Sequence, residues 1–510
     1  MIKNFYKICS AAFLTAGLAI GAAAQVSVVS VQDSISTDTH WTCDNQYLLK
    51  GYVYVTNGTT LTIDPGVIIK GDKQTKGALI VERGAKIQAI GTAEAPIVFT
   101  SNEAVGSRSY GDWGGVIICG KAPQNWSADV ENWSVTDHQV EGGPRSLYGG
   151  NTPDDNSGAL SYVRIEFPGI AFSPNNEVNG LSLYAVGSGT QIDHVQVSYS
   201  GDDAVEFFGG RVNTKYMVAY STWDDDFDTD NGYQGLNQYG VVLRDPFAAD
   251  QSGSKAFESD SWQSGTIAGR NAADSVYLTK PVFTNFTAIG ALVSPTSTAY
   301  DPNYVAALHT RRGTSISILN SVIAGFPIGV LIDEPDTASF GSTIANWTSG
   351  SIQFKNNALA GMPIVSSPAA NAPADQTTFF VYGDNRRNAN GAAYTTAPGD
   401  TAVFFGRIAG AQAGPISTVF AAANKNKEYA TQSSGIRLQN PFNLSNPDFA
   451  PTSTSPIVYN NSGHTFNPAN PISLDTTGNY ANYNAPDLIP NSSSYRLQNS
   501  FFETVNHIGA

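Results

Sequence analysis

The segments QIDHVQVSYSGDD, residues 191–203, and NTKYMVAYSTWDD, residues 213–225, correspond residue for residue at an offset of 22. The overlapping stretches GDDAVEFFGG, residues 201–210, and WDDDFDTDNG, residues 223–232, keep the same offset. Within each copy, short runs that alternate apolar and polar residues are separated by Gly, Asn and Asp, which is typical of short strands joined by turns. A repeat of about 20 to 30 residues with two or three strands predicts coils that stack into a parallel β-helix.

Further copies follow along the chain with insertions between them. Phe257 repeats Phe227 at an offset of 30, Val330 repeats Leu308 at an offset of 22, and residues 79–91 repeat residues 53–66 at an offset of 26. The competing all-β folds are a sandwich and a propeller, but propeller repeats are longer, about 40 residues. We therefore predict an all-β fold, a single-stranded, right-handed parallel β-helix (a solenoid) with long loop insertions and a C-terminal cap. One ladder should point inward: Leu183, Val205, Phe227, Phe257, Leu308 and Val330.

The N-terminus has the pattern of a secretory signal peptide over residues 1–24. A positive stretch with Lys3 and Lys7 precedes an apolar run, and small residues precede Gln25. We expect residues 25–360 to form the parallel β-helix and residues 361–510 to form a loop-rich continuation with the C-terminal cap. Later segments lack the roughly 18 apolar residues of a membrane span, so we expect no transmembrane segment. The protein is predicted to be exported, either to the cell surface or outer membrane or into the medium.

The formal net charge of the chain is −15 at pH 7. Nucleic-acid binding needs basic patches, so this charge argues against nucleic acid as a partner. Two cysteines, Cys43 and Cys119, follow the signal peptide. In an oxidising compartment they either form a disulfide that closes a long loop or stay as two buried free thiols.

Several segments resemble a widespread family of exported proteins from Gram-negative bacteria. They include GTTLTIDPGVIIKG (58–71), GDWGGVIICGKAP (111–123), DDAVEFFGG (202–210) and HTRRGTSISILNS (309–321). The resemblance covers most of residues 41–360 and recurs at the C-terminus. It implies a right-handed parallel β-helix at the cell surface or secreted, and it implies no particular activity. Many relatives carry a C-terminal sorting module, whereas this sequence ends at Ala510 without an obvious one.

An acidic strip follows from the register, because neighbours of inward residues point to the other face of a strand. One outward ladder is predicted to contain Tyr184, Glu206, Asp228, Glu258, His309 and Leu331. The next contains Val186, Phe208, Asp230, Asp260, Arg311 and Asp333, and Asp226 stands on the same face. Stacked carboxylates repel one another by roughly 1 to 3 kcal/mol per pair at a surface-like dielectric constant.

Three interpretations of the strip stay open. It is a solvated strip of paired charges, a structural Ca²⁺ site, or a catalytic or ligand-binding groove. Oxygen ligands select calcium, and the candidate metal ligands are Glu206, Asp226, Asp228, Asp230, Glu258 and Asp260. In the groove interpretation Arg311 or His309 is the base of a polysaccharide lyase. Tyr184 and Phe208 would then stack on sugar rings.

The sequence leaves three predictions of the function of the protein. The first is a non-catalytic protein that binds or adheres to glycans or other cell-surface components, with calcium as a structural ion. The second is a polysaccharide lyase or glycoside hydrolase that acts on an acidic polysaccharide. The third is a purely structural component of a surface layer.

Overall fold

A computed structural model describes residues 26–125, 140–173, 176–261, 278–334, 341–362, 377–383, 400–403 and 426–452, with the single residues 419, 424, 455 and 457. The chain divides into two compact units. Unit 1 contains Met1–Pro123 and Asp129–Asn213, and unit 2 contains Gln124–Ala128 and Thr214–Ala510. The proposed signal peptide lies outside the described residues, and the domain boundary near residue 360 stays a prediction.

Unit 1 is built from short strands, two or three to a coil. They are β1 (Ser27–Ile35), β2 (Thr39–Trp41), β3 (Asn45–Val55), β4 (Thr60–Ile63), β5 (Ile68–Gly71), β6 (Ala78–Val81), β7 (Lys86–Ile90), β8 (Ile97–Ser101), β9 (Gly115–Cys119), β10 (Gly158–Glu166), β11 (Ala171–Ser173), β12 (Asn176–Glu177), β13 (Leu181–Tyr184), β14 (Gln191–Ser198) and β15 (Val205–Phe208). Among these described strands only β11 and β12 pair antiparallel; the other pairings within the unit are parallel.

The parallel pairings of unit 1 form three sheets that run up the stack. The first contains β1, β3, β5, β8, β10 and β14, and the second contains β3, β6, β9, β13 and β15. The third contains β2, β4, β7, β10 and β14. Val53 pairs with Leu79 and Leu61 pairs with Ile87, so the offset of 26 read from the sequence is confirmed.

Unit 2 is also built mainly from strands. They are β16 (Asn213–Tyr220), β17 (Phe227–Asp230), β18 (Leu236–Leu243), β19 (Ser254–Asp260), β20 (Val282–Ile289), β21 (Tyr304–Arg311), β22 (Ser317–Leu319), β23 (Val322–Ala324), β24 (Ile328–Glu334), β25 (Gln353–Lys355), β26 (Ala358–Ala360), β27 (Thr377–Gly383), β28 (Asp400–Val403), β29 (Lys427–Tyr429), β30 (Leu438–Asn440) and β31 (Asp448–Pro451). One short helix, α1 (Thr343–Thr348), and a π-helical turn (Gln432–Ile436) complete the described elements.

One sheet of unit 2 contains β17, β19, β21 and β24 in parallel, and we call it the acidic sheet. A second, bent set runs from β16 through β18 and β20 to β22 and β23, then to β25, β26 and β29. The strand β27 joins the acidic sheet antiparallel to β24. The predicted parallel β-helix is therefore confirmed.

A residue with left-handed backbone bends each long strand where it passes from one sheet to the next. In unit 1 these residues are Tyr162 and His194, whose rings stack at 4.2 Å. In unit 2 the later coils use Asn285, Asn320 and Asn356. Asn tolerates the left-handed conformation better than most residues, and its amide also bonds along the stack, since Asn356 Nδ2 donates to Asn320 Oδ1 at 3.1 Å.

The core of unit 2 follows the predicted inward ladder. Phe227 pairs with Phe257, Phe257 with Leu308, and Leu308 with Val330, and these four side chains are buried. The offsets of 30 and 22 are thus confirmed. A separate apolar cluster joins Leu243, Ile289, Val322 and neighbouring alanines to a segment near the C-terminus: Ile436, Leu438 and Ile457. No helix among the described residues is long and apolar enough to cross a membrane.

Candidate functional site

The acidic sheet brings together most of the charged residues that the register predicted. Asp228 on β17 pairs with Glu258 on β19, Glu258 pairs with His309 on β21, and Asp260 pairs with Arg311. His309 in turn pairs with Leu331 on β24. These rungs of the two outward ladders are confirmed.

The register of unit 1 differs from the prediction by two residues. Leu183 pairs with Phe207 rather than with Val205, and Ser182 pairs with Glu206. The coil between them contains 24 residues instead of 22, because the turn after β13 is longer than its counterpart. The predicted rungs from Leu183 to Val205, from Tyr184 to Glu206 and from Val186 to Phe208 are wrong. The step from Glu206 to Asp228 would join residues of different units and stays a prediction.

The proposed ligand-binding face is also wrong, because Tyr184 and Phe208 are buried. Their rings stack on each other at 4.1 Å with an interplanar angle of 3°. An earlier segment of the chain covers them, since Tyr148 packs on Tyr184 at 4.8 Å and Val140 belongs to the same cluster. Neither ring is available to stack on a sugar. No pattern in the sequence indicates that the segment containing Val140 and Tyr148 packs over these two rings.

The acidic strip is not solvated. Asp228 is half-buried, and the other five predicted metal ligands are at most 6% exposed: Glu206, Asp226, Asp230, Glu258 and Asp260. Part of the cover is the segment at Gln124 and Asn125. The backbone N–H of Asn125 donates to the carbonyl oxygen of Asn231 at 2.9 Å, and its side-chain amide donates to the carbonyl of Ser261. This segment therefore lies beside the ends of β17 and β19.

The cation that sequence reasoning missed is Lys255. Its Nζ lies 3.1 Å from Glu258 Oε2 and 3.4 Å from Asp225 Oδ2, and the side chain is buried. Strict alternation would place Lys255 on the same face as Phe257 and therefore inside. The pairing of β19 with β21 shifts between Ser254 and Lys255, with Val305 of β21 as the additional residue, so the ladder is irregular where Lys255 departs from the alternation. The spacing in the sequence carries no signal of this irregularity.

Two arginines and a histidine complete the cluster. Arg311 lies 2.6 Å from Asp260 through Nε and 3.3 Å from Glu258 through Nη2, and Arg312 Nη1 lies 2.8 Å from Asp260 Oδ2. The buried ring of His309 lies between two carboxylates, with Nδ1 2.9 Å from Glu258 and Nε2 3.5 Å from Asp333. The side chains of Arg311 and Arg312 are each 28% exposed. Their guanidinium groups are thus the cations of the cluster closest to solvent.

The carboxyl groups of the cluster have pKa values that move in opposite directions. Burial acts to raise the pKa of Glu258, but Arg311, Lys255 and His309 outweigh it and hold that pKa well below its usual range. Burial, followed by the charges of Asp230 and Glu258, raises the pKa of Asp228 well above its usual range. Neighbouring carboxyls in unlike surroundings are a pattern found in sites of acid–base chemistry.

The basic groups are held in their charged forms. Burial acts to lower the pKa of Lys255, but Asp225 and Glu258 raise it well above the ordinary value. Burial also opposes the charge on Arg311, and Asp260 and Glu258 likewise raise its pKa well above the ordinary value. A group that abstracts a proton must first be deprotonated. Neither side chain is therefore suited to act as a base.

Asp226 lies in unit 2 but belongs to a different ion pair. Its Oδ2 lies 3.0 Å from Nη1 of Arg244, and both side chains are fully buried. Burial raises the pKa of Asp226 to about 7, although Arg244 acts to lower it. Burial opposes the charge on Arg244 too, and Asp226 raises the pKa of Arg244 above its ordinary value. The two groups are in direct contact and form a buried ion pair.

Glu206 lies in unit 1 in a second group of acids. The side-chain amide of Asn179 donates to Glu206 Oε2 at 2.5 Å and to Glu141 Oε2 at 3.0 Å. Burial raises the pKa of Glu141 to about 7, and its hydrogen bonds to Glu206 and Asn179 oppose that rise. Sequence reasoning missed Glu141 and Asn179, because neither belongs to the repeat register.

The fit of a calcium ion depends on three carboxylates. Asp225, Asp228 and Glu258 each place an oxygen within 4.8 Å of the others, and such oxygens are ligands that Ca²⁺ prefers. However, the Lys255 ammonium already contacts Asp225 and Glu258. An ion bound there would share two of its carboxylates with a second cation. Calcium binding stays a prediction from the sequence, and the residues do not fit it while Lys255 holds this position.

The two cysteines are not bonded to each other. Cys43 is an exposed free thiol, and Cys119 is a buried free thiol on β9. Burial raises the pKa of the Cys119 thiol far above its ordinary value. The disulfide alternative is wrong in this structure, and the interpretation of two buried thiols is right for Cys119 alone.

Comparison with known proteins adds one finding. The sequence matches the family described as a pectate-lyase like beta helix domain over residues 33–399. This match covers more than half of the chain. Neither the curated proteins nor the solved structures contain a match.

Proposed function

The chain belongs to the family of pectate-lyase like beta helix domains, and on this premise we propose that it is an exported protein that binds glycans without cleaving them. The observation that carries the proposal is the pairing of the cations in the acidic sheet. Lys255, Arg311 and His309 each face two carboxylates. This arrangement holds each of the three side chains between carboxylates, and the raised pKa values of Lys255 and Arg311 leave neither of them ready to take a proton.

Fixed polar groups at a surface are suited to recognise sugar hydroxyls, because little freedom is lost when they bind. The half-buried Asp228 and the part-exposed Arg311 and Arg312 provide such groups on unit 2. A guanidinium donates several hydrogen bonds in a rigid plane, and a carboxylate accepts them. Together they match the mixed donors and acceptors of a glycan.

The lyase alternative gains no support from the predicted bases. The raised pKa of Arg311 keeps it charged. His309 is buried, and its two ring nitrogens lie 2.9 Å and 3.5 Å from carboxylate oxygens. Arg311 or His309 would have to lose a contact to a carboxylate before it could take a proton from a substrate.

The test is a glycan array with residues 25–510, which lack the proposed signal peptide. We expect Arg312→Gln to weaken binding at least about fivefold, roughly the worth of one charge-assisted hydrogen bond, in a protein that is still folded by circular dichroism. Lys50→Gln, at an exposed lysine of β3 in unit 1, should leave binding unchanged. Absence of binding to any glycan would contradict the proposal, and so would release of sugar products during the incubation.

A glycoside hydrolase is the second candidate, favoured by the opposed pKa values of Asp228 and Glu258. In this alternative Asp228 donates a proton to the leaving oxygen, and the ionised Glu258 stabilises or attacks the sugar. A reducing-end assay on the bound glycans decides between the two. Hydrolysis lost in Asp228→Asn and kept in Glu94→Gln, at an exposed glutamate, would establish the enzyme.

A further inference from the structure

Lys255 occupies the place in the acidic sheet where a metal ion would be expected. Its ammonium nitrogen contacts Glu258 Oε2 at 3.1 Å and Asp225 Oδ2 at 3.4 Å. Its backbone N–H also donates to Asp225 Oδ1 at 2.6 Å. The ladder is irregular at this point, because Val305 of β21 is an additional residue opposite the start of β19.

The surrounding carboxylates need a cation. Oxygens of Asp225, Asp228 and Glu258 lie within 4.8 Å of one another, and their side chains are buried or half-buried. Like charges at this separation repel strongly where water is largely excluded. Arg311 and His309 approach Glu258 from the neighbouring strand, and Lys255 contacts both Glu258 and Asp225.

We propose that Lys255 is a tethered counter-cation that takes the place of a calcium ion among Asp225, Asp228 and Glu258. Unit 2 therefore folds without calcium, and removal of the ammonium creates a calcium site. A tethered group loses little freedom when it binds, whereas a free ion must be recruited from solution and dehydrated. An added Ca²⁺ would also meet the positive charge of Lys255 at contact distance. The inference does not depend on glycan binding.

Lys255→Met tests the inference because methionine keeps the length of the side chain and removes its charge. We expect the wild-type melting temperature to be the same in EDTA and in millimolar Ca²⁺. The K255M protein should melt several degrees lower in EDTA and recover in Ca²⁺, because an ion that binds only the folded state stabilises it. Calorimetric titration should find one Ca²⁺ site in K255M and none in the wild type.

Two further variants control the result. Lys50→Met changes an exposed lysine of unit 1 and should neither bind Ca²⁺ nor lower the melting temperature. Adding Glu258→Gln to K255M removes one ligand and should weaken Ca²⁺ binding at least about tenfold, because calcium affinity depends on the number of charged ligands.

Stoichiometric Ca²⁺ binding to the wild-type chain, lost in Glu258→Gln, would overturn the inference. A folded K255M protein that ignores Ca²⁺ would overturn it as well. If K255M folds only when Ca²⁺ is present, the inference is supported. If K255M folds in neither buffer, the wild-type titration decides: no Ca²⁺ bound supports the inference, and a bound ion overturns it.

Discussion

Replacing Arg244 with methionine is expected to destabilise unit 2 strongly, because it breaks a fully buried ion pair. Arg244 Nη1 lies 3.0 Å from Asp226 Oδ2, and neither side chain is exposed to solvent. Nη1 and Nη2 also donate to the carbonyl oxygen of Asp224, each at 2.6 Å, and the guanidinium lies 5.1 Å from the ring centroid of Tyr304. The arginine therefore pairs with a buried carboxylate and donates hydrogen bonds to a backbone carbonyl at the same time.

The expected loss of unfolding free energy follows from the groups that remain buried after the substitution. Methionine fills much of the space of the arginine stem but leaves the Asp226 carboxylate buried without its counter-ion. Removal of one partner of a buried ion pair costs about 3–5 kcal/mol of unfolding free energy. The double variant Asp226→Asn with Arg244→Met should recover part of this loss, because the uncompensated charge is then gone.

The cost should depend on pH. The pKa of Asp226 in the folded protein is about 7, above the ordinary value of about 3.9 in the unfolded chain, and loss of Arg244 raises it further. A carboxyl whose pKa is raised by folding binds its proton more tightly in the folded state, so the penalty is absent below the unfolded pKa and grows up to the folded pKa. R244M should therefore be closer to the wild type at about pH 5 than at about pH 8.

Urea unfolding at these two pH values, followed by circular dichroism and tryptophan fluorescence, measures the effect. Arg164→Met provides the matched control, because Arg164 forms a more exposed pair with Glu166 at 2.7 Å in unit 1 and should cost at most about 1 kcal/mol. A cost for R244M of less than about 1 kcal/mol at the higher pH would refute the reasoning. So would an equal cost at both pH values.

Three further predictions concern other parts of the chain. Stability should fall between about pH 4.5 and pH 7, because folding raises the pKa of Glu141 from 4.5 to about 7, and Glu141→Gln should flatten that part of the pH profile of urea unfolding. A Cβ at Gly240 would lie 2.0 Å from the ring of Phe286, so Gly240→Ala should lower stability by about 1–3 kcal/mol, seen as a lower melting temperature. Asn357 accepts a bond from Ser321 N at 2.9 Å, and Asn357→Ala should cost about 1–3 kcal/mol and speed hydrogen exchange at the Ser321 amide.

The repeat could be read from the sequence where a buried ladder constrains it. Phe227, Phe257, Leu308 and Val330 stack as predicted, because a slip of one residue would expose the apolar face of a strand. The predicted offset of 22 from Leu183 to Val205 is wrong because the turn after β13 contains two additional residues. These two residues keep the alternation of inward and outward side chains intact. A shift by two leaves every side chain on its predicted face, so periodicity alone cannot detect it.

The candidate site was harder to predict than the fold because its geometry depends on departures from the repeat. Lys255 reaches the carboxylates where the pairing of β19 with β21 shifts, and the cover at Asn125 comes from a distant part of the sequence. Both act on the same carboxylates. Together they convert a strip that the register places at the surface into a buried network, where solvent no longer screens the charges.

The stacking of coils also explains why the network contains both signs of charge. Each rung lies about one strand spacing from the next, so an acid repeated in every coil would meet its own kind above and below. In the acidic sheet Glu258 is followed by His309, and Asp260 by Arg311. At Asp228 and Glu258 the acids do adjoin, and there Lys255 reaches Glu258 from within the same strand. The part of the ladder that the repeat leaves unbalanced is thus the part where the chain departs from the repeat.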